Sequence, residues 1–280
     1  MIIYKRHQPL LTHLSFLKNQ GKKIIFVPTM GALHQGHISL LQNKIEANNI
    51  IVSSIFVNPT QFNNSKDFEK YPSSIEKDLY ELEKAGTNIL FLPSVEEIYP
   101  NGTMQKYHYD LGYLETILEG KYRPGHFQGV CQVVERLIQI VEPDVLVLGQ
   151  KDYQQCMVIN KLINMIGVSV KIIVGATTRE KDGLAMSSRN VRLGNTDREK
   201  AVLIYKTMLD IKQQIKQGSL KAIKTNAVKA LTTAGFTVDY VEIANAETLE
   251  IIEKWNNNTR LVILSAAFIN GVRLIDNLVV

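Results

Sequence analysis

Short unbroken apolar runs recur through the first part of the chain, at Ile24–Val27, Ile50–Val57, Ile89–Leu92, Val145–Leu148 and Val170–Val174. Each is too short for a helix and lacks polar alternation, which predicts strands covered on both faces. Helical segments fill the gaps. Ser73 or Ser74 stands where a helix ending before Gly86 would be capped, a second helix fills Phe127–Val141, and a third runs from Asp152 to a stop at Gly167. Strand–helix alternation of this kind builds parallel βαβ units. The first 176 residues therefore read as an α/β domain with a doubly wound, Rossmann-like parallel sheet.

The rhythm changes after about Thr177. Thr196-x-x-Glu199 has the form of a capping box opening a long helix, and a second helix follows Gly218. Alternating apolar residues over Phe236–Ile243 predict a strand. LVILSAAFI and VRLI flank Asn270-Gly271, the dipeptide of a type I′ hairpin turn. Residues 177–280 thus read as a smaller α+β domain.

Composition narrows the classes. The 280 residues are 45% hydrophobic, enough for a sizeable core, and no low-complexity tract points to disorder. The net charge of +5 fits a nucleic-acid partner or a small anionic substrate. Lys212, Lys216, Lys221, Lys224 and Lys229 lie on two predicted helices without interleaved aromatics, so they read as a solvated face. No nucleic-acid partner is expected. The two cysteines, Cys131 and Cys156, are far apart, which excludes a disulfide framework and suits a reducing compartment. The first twenty residues lack an uninterrupted apolar region with a cleavage site, and LVILSAAFI is too short to span a bilayer. The expectation is a soluble, cytoplasmic protein without a membrane partner.

The stretch VPTMGALHQGH carries the first chemistry. Strand Ile24–Val27 ends at Pro28, and Pro28 and Gly31 turn the chain at the carboxyl edge, where doubly wound sheets bind ligands. Helix Gly36–Glu46 follows, with free N–H groups and a positive dipole end that attract phosphate. His34 and His37 flank that start. They fit a pair of capping histidines, or donors to a phosphate in transit. A metal site lacks ligands at partner spacing.

A second stretch, DGLAMSSRN at Asp182–Asn190, offers two hydroxyls and an arginine in a loop. HxGH with MSSRN resembles the HIGH and KMSKS signatures of the nucleotidylyl-transferase superfamily. FVNPTQF (Phe56–Phe62), EGKYRPGHFQGV (Glu119–Val130), LGQKDYQQ (Leu148–Gln155) and TTREKDGLAMSSRN (Thr177–Asn190) follow in order, and GVRLIDN lies near the end. Together they resemble the pantothenate synthetase family, the pantoate–β-alanine ligases, over essentially the whole chain.

That resemblance implies ATP-dependent condensation of pantoate with β-alanine through a pantoyl adenylate, giving pantothenate, AMP and pyrophosphate. It implies an ATP-binding segment of Met30, Gly31, Ala32, Leu33, His34, Gln35, Gly36 and His37. His34 and His37 would donate to the phosphates, with His37 the proton donor. Gly149, Gln150, Lys151 and Asp152 would hold the adenosine, Lys151 also reaching the phosphates as a catalytic group. Thr178 would meet the adenine through its backbone, and Met186, Ser187, Ser188 and Arg189 would close over the triphosphate. Gln61 and Gln155 would bind pantoate, each amide both donating and accepting. Asn58 would order that wall, and Arg123 and His126 would form a flap that excludes water. Mg²⁺ is implied with the triphosphate, with Asp78 as its candidate ligand. Departures are small: Ala176 and Thr178 stand where many relatives carry Pro and Val, and Gln150 where many carry Glu. The family also implies a homodimer through the larger domain. A different HxGH nucleotidylyltransferase acting on a phosphate acceptor is the alternative, and NPTQF and RPGHFQGV argue against it.

Overall fold

The computed structural model describes residues 1–42, 48–105, 107–216, 219–255 and 258–280. These divide into two compact units: Met1–Gln150 with Gln154–Ala176, and Lys151–Tyr153 with Thr177–Val280.

The first unit is built on strands β1 (Ile2–Tyr4), β2 (Lys23–Thr29), β3 (Asn49–Ile55), β4 (Ile89–Phe91), β5 (Val145–Gly149) and β6 (Lys171–Gly175). They form a parallel sheet of order β1-β4-β3-β2-β5-β6. Successive side chains of a strand point to opposite faces, and the apolar runs supply both. Ile24, Phe26, Val52, Phe91, Leu146 and Leu148 pack with helices His7–Asn19, His126–Val141 and Tyr153–Ile166. Ile25, Val27, Ile51, Leu90 and Val147 pack on the other face with helices Gln35–Gln42 and Ile75–Lys84. The helix after β2 and the helix after β5 therefore cover opposite faces, although β2 and β5 are neighbours. Their carboxyl ends flank the point where the strand order reverses, the place where such sheets leave a crevice for ligands.

The second unit carries helices Asn195–Ala201, Leu203–Gln214 and Leu220–Thr233 on an antiparallel sheet of β7 (Thr237–Asn245), β8 (Leu261–Ile269) and β9 (Val272–Val279). Asn270 and Gly271 join β8 to β9 with φ of 45° and 76°, the two positive values a type I′ turn requires.

Several details differ from the sequence reading. β1 was not expected, because three residues hold too little pattern to register. Pro28 lies inside β2 opposite Ser54, and the strand runs on to Thr29. Thr196 sits within its helix, whose N-cap is Gly194 without a side-chain cap, so the capping box is not formed. Val202 separates that helix from the next, so the single long helix is two. Ser74 is the N-cap of Ile75–Lys84, but its hydroxyl serves Asp78 instead of a helix amide. Glu46 and Gly218, named as an expected helix end and helix boundary, lie outside the described residues. Lys212, Lys216, Lys221 and Lys229 are exposed, and Lys224 pairs with Glu242 at 2.6 Å. Among the described residues no helix is long and apolar enough to cross a membrane.

Candidate active site

In the first unit the site begins where β2 ends. Thr29 Oγ1 donates to Ser54 O at 2.7 Å and accepts Gly31 N–H at 3.2 Å, which closes a tight turn. Gly31 has φ +81°, and a Cβ there would lie 3.1 Å from both Asp78 Oδ2 and Ile55 Cγ2. Glycine meets both the left-handed backbone and the tight space without strain. Ala32 N–H then donates to Asp78 Oδ2 at 2.7 Å and Leu33 N–H to Asp78 Oδ1 at 2.8 Å. Asp78 is fully buried and also accepts from Ser74 Oγ at 3.0 Å.

This gives Asp78 a task other than the expected Mg²⁺ ligand. Both carboxylate oxygens hold the loop that leads to the histidines, and no group of three His, Cys, Asp or Glu suited to a metal occurs among the described residues. Asp78→Asn keeps one acceptor but turns an NH₂ toward a backbone N–H. The expected loss is about 1–3 kcal/mol in urea unfolding. A variant that keeps its stability but needs more Mg²⁺ would return Asp78 to the metal.

The loop delivers His34 and His37 to the start of helix Gln35–Gln42. His34 O accepts His37 N–H at 2.8 Å and Ile38 N–H at 3.2 Å. Nδ1 of His34 accepts Gly36 N–H at 3.1 Å, and Nδ1 of His37 accepts His34 N–H at 3.3 Å. A backbone N–H only donates, so both Nδ1 atoms are acceptors and each neutral ring carries its proton on Nε2. The rings lie 4.1 Å apart, centroid to centroid. The arrangement makes two N–H donors at a helix start, the equipment for an oxyanion.

Beside the loop, Gln61 Nε2 donates to Met30 Sδ at 3.2 Å. The turn Pro59–Gln61 that carries Gln61 is pinned by Asn58, which is 1% exposed. Asn58 Nδ2 donates to Gln61 Oε1 and to Gly129 O, both at 3.1 Å, and Oδ1 accepts Thr60 Oγ1 at 3.1 Å and Tyr99 OH at 2.8 Å. Burial pushes the Tyr99 phenol up to about 12, so it remains a donor at neutral pH. A Cβ on Gly129 would lie 2.2 Å from Thr60 O, so only glycine lets helix His126–Val141 approach the turn.

His126, expected in a flap that excludes water, is buried. Its Nδ1 donates to Gln61 O at 2.8 Å, and its Nε2 accepts Arg123 Nη1 at 3.0 Å, because a carbonyl only accepts and a guanidinium only donates. Arg123 also meets Glu119 Oε2 at 3.3 Å. Asn58 thus orders the turn that carries Gln61, as expected, and His126 holds the backbone of the same residue. Across the strand-order reversal, Gly149 ends β5 and Gln150 opens the turn Gln150–Asp152. Gln154 is buried and holds Glu119 N–H and the carbonyls of Leu114 and Ile117, while Gln155 beside it is only partly buried.

The second unit contains Lys151, Asp152, Thr178 and Met186–Arg189. Residues 178–186 form a narrow hairpin: Met186 N–H donates to Thr178 O at 3.0 Å, and Arg179 bridges Ala185. Ser187 Oγ accepts Arg189 N–H at 3.3 Å and so shapes the turn that presents Ser188 and Arg189. Gly129, Tyr99, Arg179, Asp276 and Asn277 were not singled out from the sequence. Arg179 and Asp276–Asn277 do lie inside the quoted stretches TTRE and GVRLIDN, but isolated polar residues carry no periodic signal.

A scan against protein families matches residues 2–279 to the model for pantoate–β-alanine ligase. The chain belongs to the pantoate–β-alanine ligase family. It is 44% identical to the pantothenate synthetase of Cytophaga hutchinsonii, covering 100% of this chain and 99% of that one. Its identity to the pantothenate synthetase of Psychromonas ingrahamii is 40%, over 100% and 97%. Among solved structures it is similar to the pantothenate synthetase of Thermus thermophilus, with TM-score 0.90, 38% identity and 99% of each chain covered. The pantoate–β-alanine ligase of Francisella tularensis, complexed with Beta-gamma ATP and Beta-alanine, superposes with TM-score 0.83 at 40% identity, over 100% and 97%. Both the parallel sheet and the small antiparallel sheet of the ligase family are thus present in one chain.

Proposed function

We propose that this ligase joins pantoate to β-alanine with ATP, through a pantoyl adenylate, and releases AMP and pyrophosphate. The observation that carries the reading is the histidine pair at the strand-order reversal, with Gln61 held against Met30 of the same loop. A carboxylate does not acylate an amine at neutral pH, so it must first acquire a leaving group. The pantoate carboxylate attacks the α-phosphorus and pyrophosphate leaves. The β-alanine amine then attacks the acyl carbon and AMP leaves.

The roles follow from the donors. His34 and His37, as Nε2–H donors, stabilise negative charge developing on the phosphates, with His37 the proton donor. Met30–His37 together with Gly149 and Gln150 of the first unit bind ATP, as do Lys151, Asp152, Thr178 and Met186–Arg189 of the second. Lys151 supplies a mobile positive charge. Gln61 and Gln155 bind pantoate. A thioether sulfur is a weak acceptor, so the Gln61–Met30 bond orients the amide and yields readily to a substrate oxygen. Mg²⁺ enters as the counter-ion of ATP and so belongs to the substrate. The protein works in the cytoplasm as a homodimer formed through the first unit, which light scattering tests.

With ATP, Mg²⁺ and pantoate but no β-alanine, labelled pyrophosphate is expected to exchange into ATP, and exchange should cease without pantoate. Release of ADP instead of AMP in the complete reaction, or exchange that ignores pantoate, rejects the adenylate route. Gln61→Ala is expected to raise the KM for pantoate by about 5- to 150-fold, the equivalent of about 1–3 kcal/mol for a substrate hydroxyl left unpaired. The KM for ATP should change much less. The opposite split would move Gln61 to the nucleotide.

A further inference from the structure

Two neighbouring residues of β9 hold parts of the second unit assigned above to ATP. Asp276 and Asn277 are only 5% and 2% exposed. Asp276 takes both arms of Arg179, Nη1 to Oδ2 at 2.6 Å and Nη2 to Oδ1 at 2.9 Å. Arg179 also donates to Gly183 O and Asn277 O, each at 3.1 Å, and its guanidinium lies 3.8 Å from the centre of the Tyr205 ring. Gly183 permits that stack, since a Cβ there would lie 2.5 Å from Tyr205 Cδ1. Arg179 is therefore fixed in its plane, its fork and its depth. It stands at the base of the hairpin whose far side leads into Ser187–Arg189.

Asn277 reaches a different segment. Its Nδ2 donates to the carbonyl of Lys151 at 2.9 Å, and its N–H donates to Asp276 Oδ1 at 2.7 Å. Both residues are paired to the central strand, Asp276 opposite Ser265 and Asn277 opposite Leu264. One step along a strand tied into the sheet thus joins the main chain of Lys151 to the anchor of the hairpin. Burying an ion pair is a poor route to stability, since apolar residues of similar volume do as well or better. What the pair does provide is direction: a bidentate fork admits one orientation of its partner.

We infer that Asp276 and Asn277 are positioning residues for adenylation, setting Lys151 and the Ser187–Arg189 turn in fixed relation to each other. The inference rests on the assignment of those groups to ATP. Each acts through the group it holds, Asp276 through Arg179 and Asn277 through the main chain of Lys151.

A double-mutant cycle on the intact enzyme tests it, read as pantoate-dependent pyrophosphate exchange at saturating ATP. Asn277→Ala in the otherwise native enzyme is expected to slow exchange about 10²-fold, the effect of misplacing a reacting group by about 1 Å. The KM for pantoate should stay nearly constant. In a Lys151→Ala background the same change should slow exchange less than about 3-fold, because residues acting through one group are not additive. Equal factors in both backgrounds overturn the inference and leave Asn277 a purely structural residue. Should Asn277→Ala fail to fold, Asn277→Asp, which keeps the shape and removes the donor, takes its place in the cycle. A Lys151→Ala enzyme with native exchange overturns the inference but not the ligase reading. Wild-type enzyme that releases no AMP overturns both.

Discussion

Replacement of His37 by alanine is expected to lower kcat by about 10²–10³-fold, the usual consequence of removing one preorganised donor to a reacting oxyanion. The melting temperature should hardly move. His37 lies in the first turn of its helix, and its ring is partly exposed and packs on His34 rather than into the core. What the substitution removes is a ring whose Nδ1 is occupied by His34 N–H, so that the neutral form donates from Nε2. Water can satisfy the amide left behind, but it cannot supply an aimed donor without reorganising. Measuring AMP formation at saturating substrates, alongside thermal unfolding, separates the two effects. A variant retaining a third of native turnover would remove His37 from the catalytic step.

Loss of the Arg179 guanidinium should instead be felt in stability. Its side chain is 17% exposed and that of Asp276 only 4%. Burial pushes the Asp276 carboxyl above its ordinary range, and Arg179 opposes that rise. Arg179→Met keeps most of the volume but leaves a buried carboxylate without its partner, which is expected to destabilise by about 3–5 kcal/mol in urea unfolding. The pH dependence has a definite sign. With Arg179 gone, the folded pKa of Asp276 rises further above its unfolded value. The variant is then relatively most stable below the unfolded pKa, about 3.9, and its deficit grows as pH rises toward the folded pKa. Arg179→Met with Asp276→Leu should recover much of the loss, because no charge remains to be solvated. A single-variant loss under about 1 kcal/mol would show that solvent reaches Asp276 more freely than its burial indicates.

Much of the architecture was legible because the relevant signals are local. Unbroken apolar runs at Ile24–Val27 and Val145–Leu148 announce strands buried on both faces, and Asn270-Gly271 announces its turn. HxGH between a strand and a helix was legible for the same reason, since phosphate chemistry needs a helix start and donors close to it in sequence. The features that were missed are those whose meaning depends on a distant partner. Thr196 and Glu199 fit a capping pattern, yet Gly194 begins the helix, and a pattern of spacing does not say which residue the chain uses. Ile2–Tyr4 becomes a strand only because β4 offers it an edge.

The sequence by itself determined the two kinds of sheet, the family, and the HxGH and MSSRN segments proposed to meet ATP, because periodicity and contiguous motifs are properties of neighbours along the chain. Tertiary structure alone decided what Asp78, Asn58, His126 and Asp276 do. The first three were expected as a metal ligand or at the substrate site, and Asp276 carried no signal of its own. Each proves to be buried, with hydrogen bonds spent on a loop or side chain as far as 97 positions away. Burial withdraws water from such a group, so it must take a partner wherever the fold supplies one, and that choice is made in space rather than along the chain.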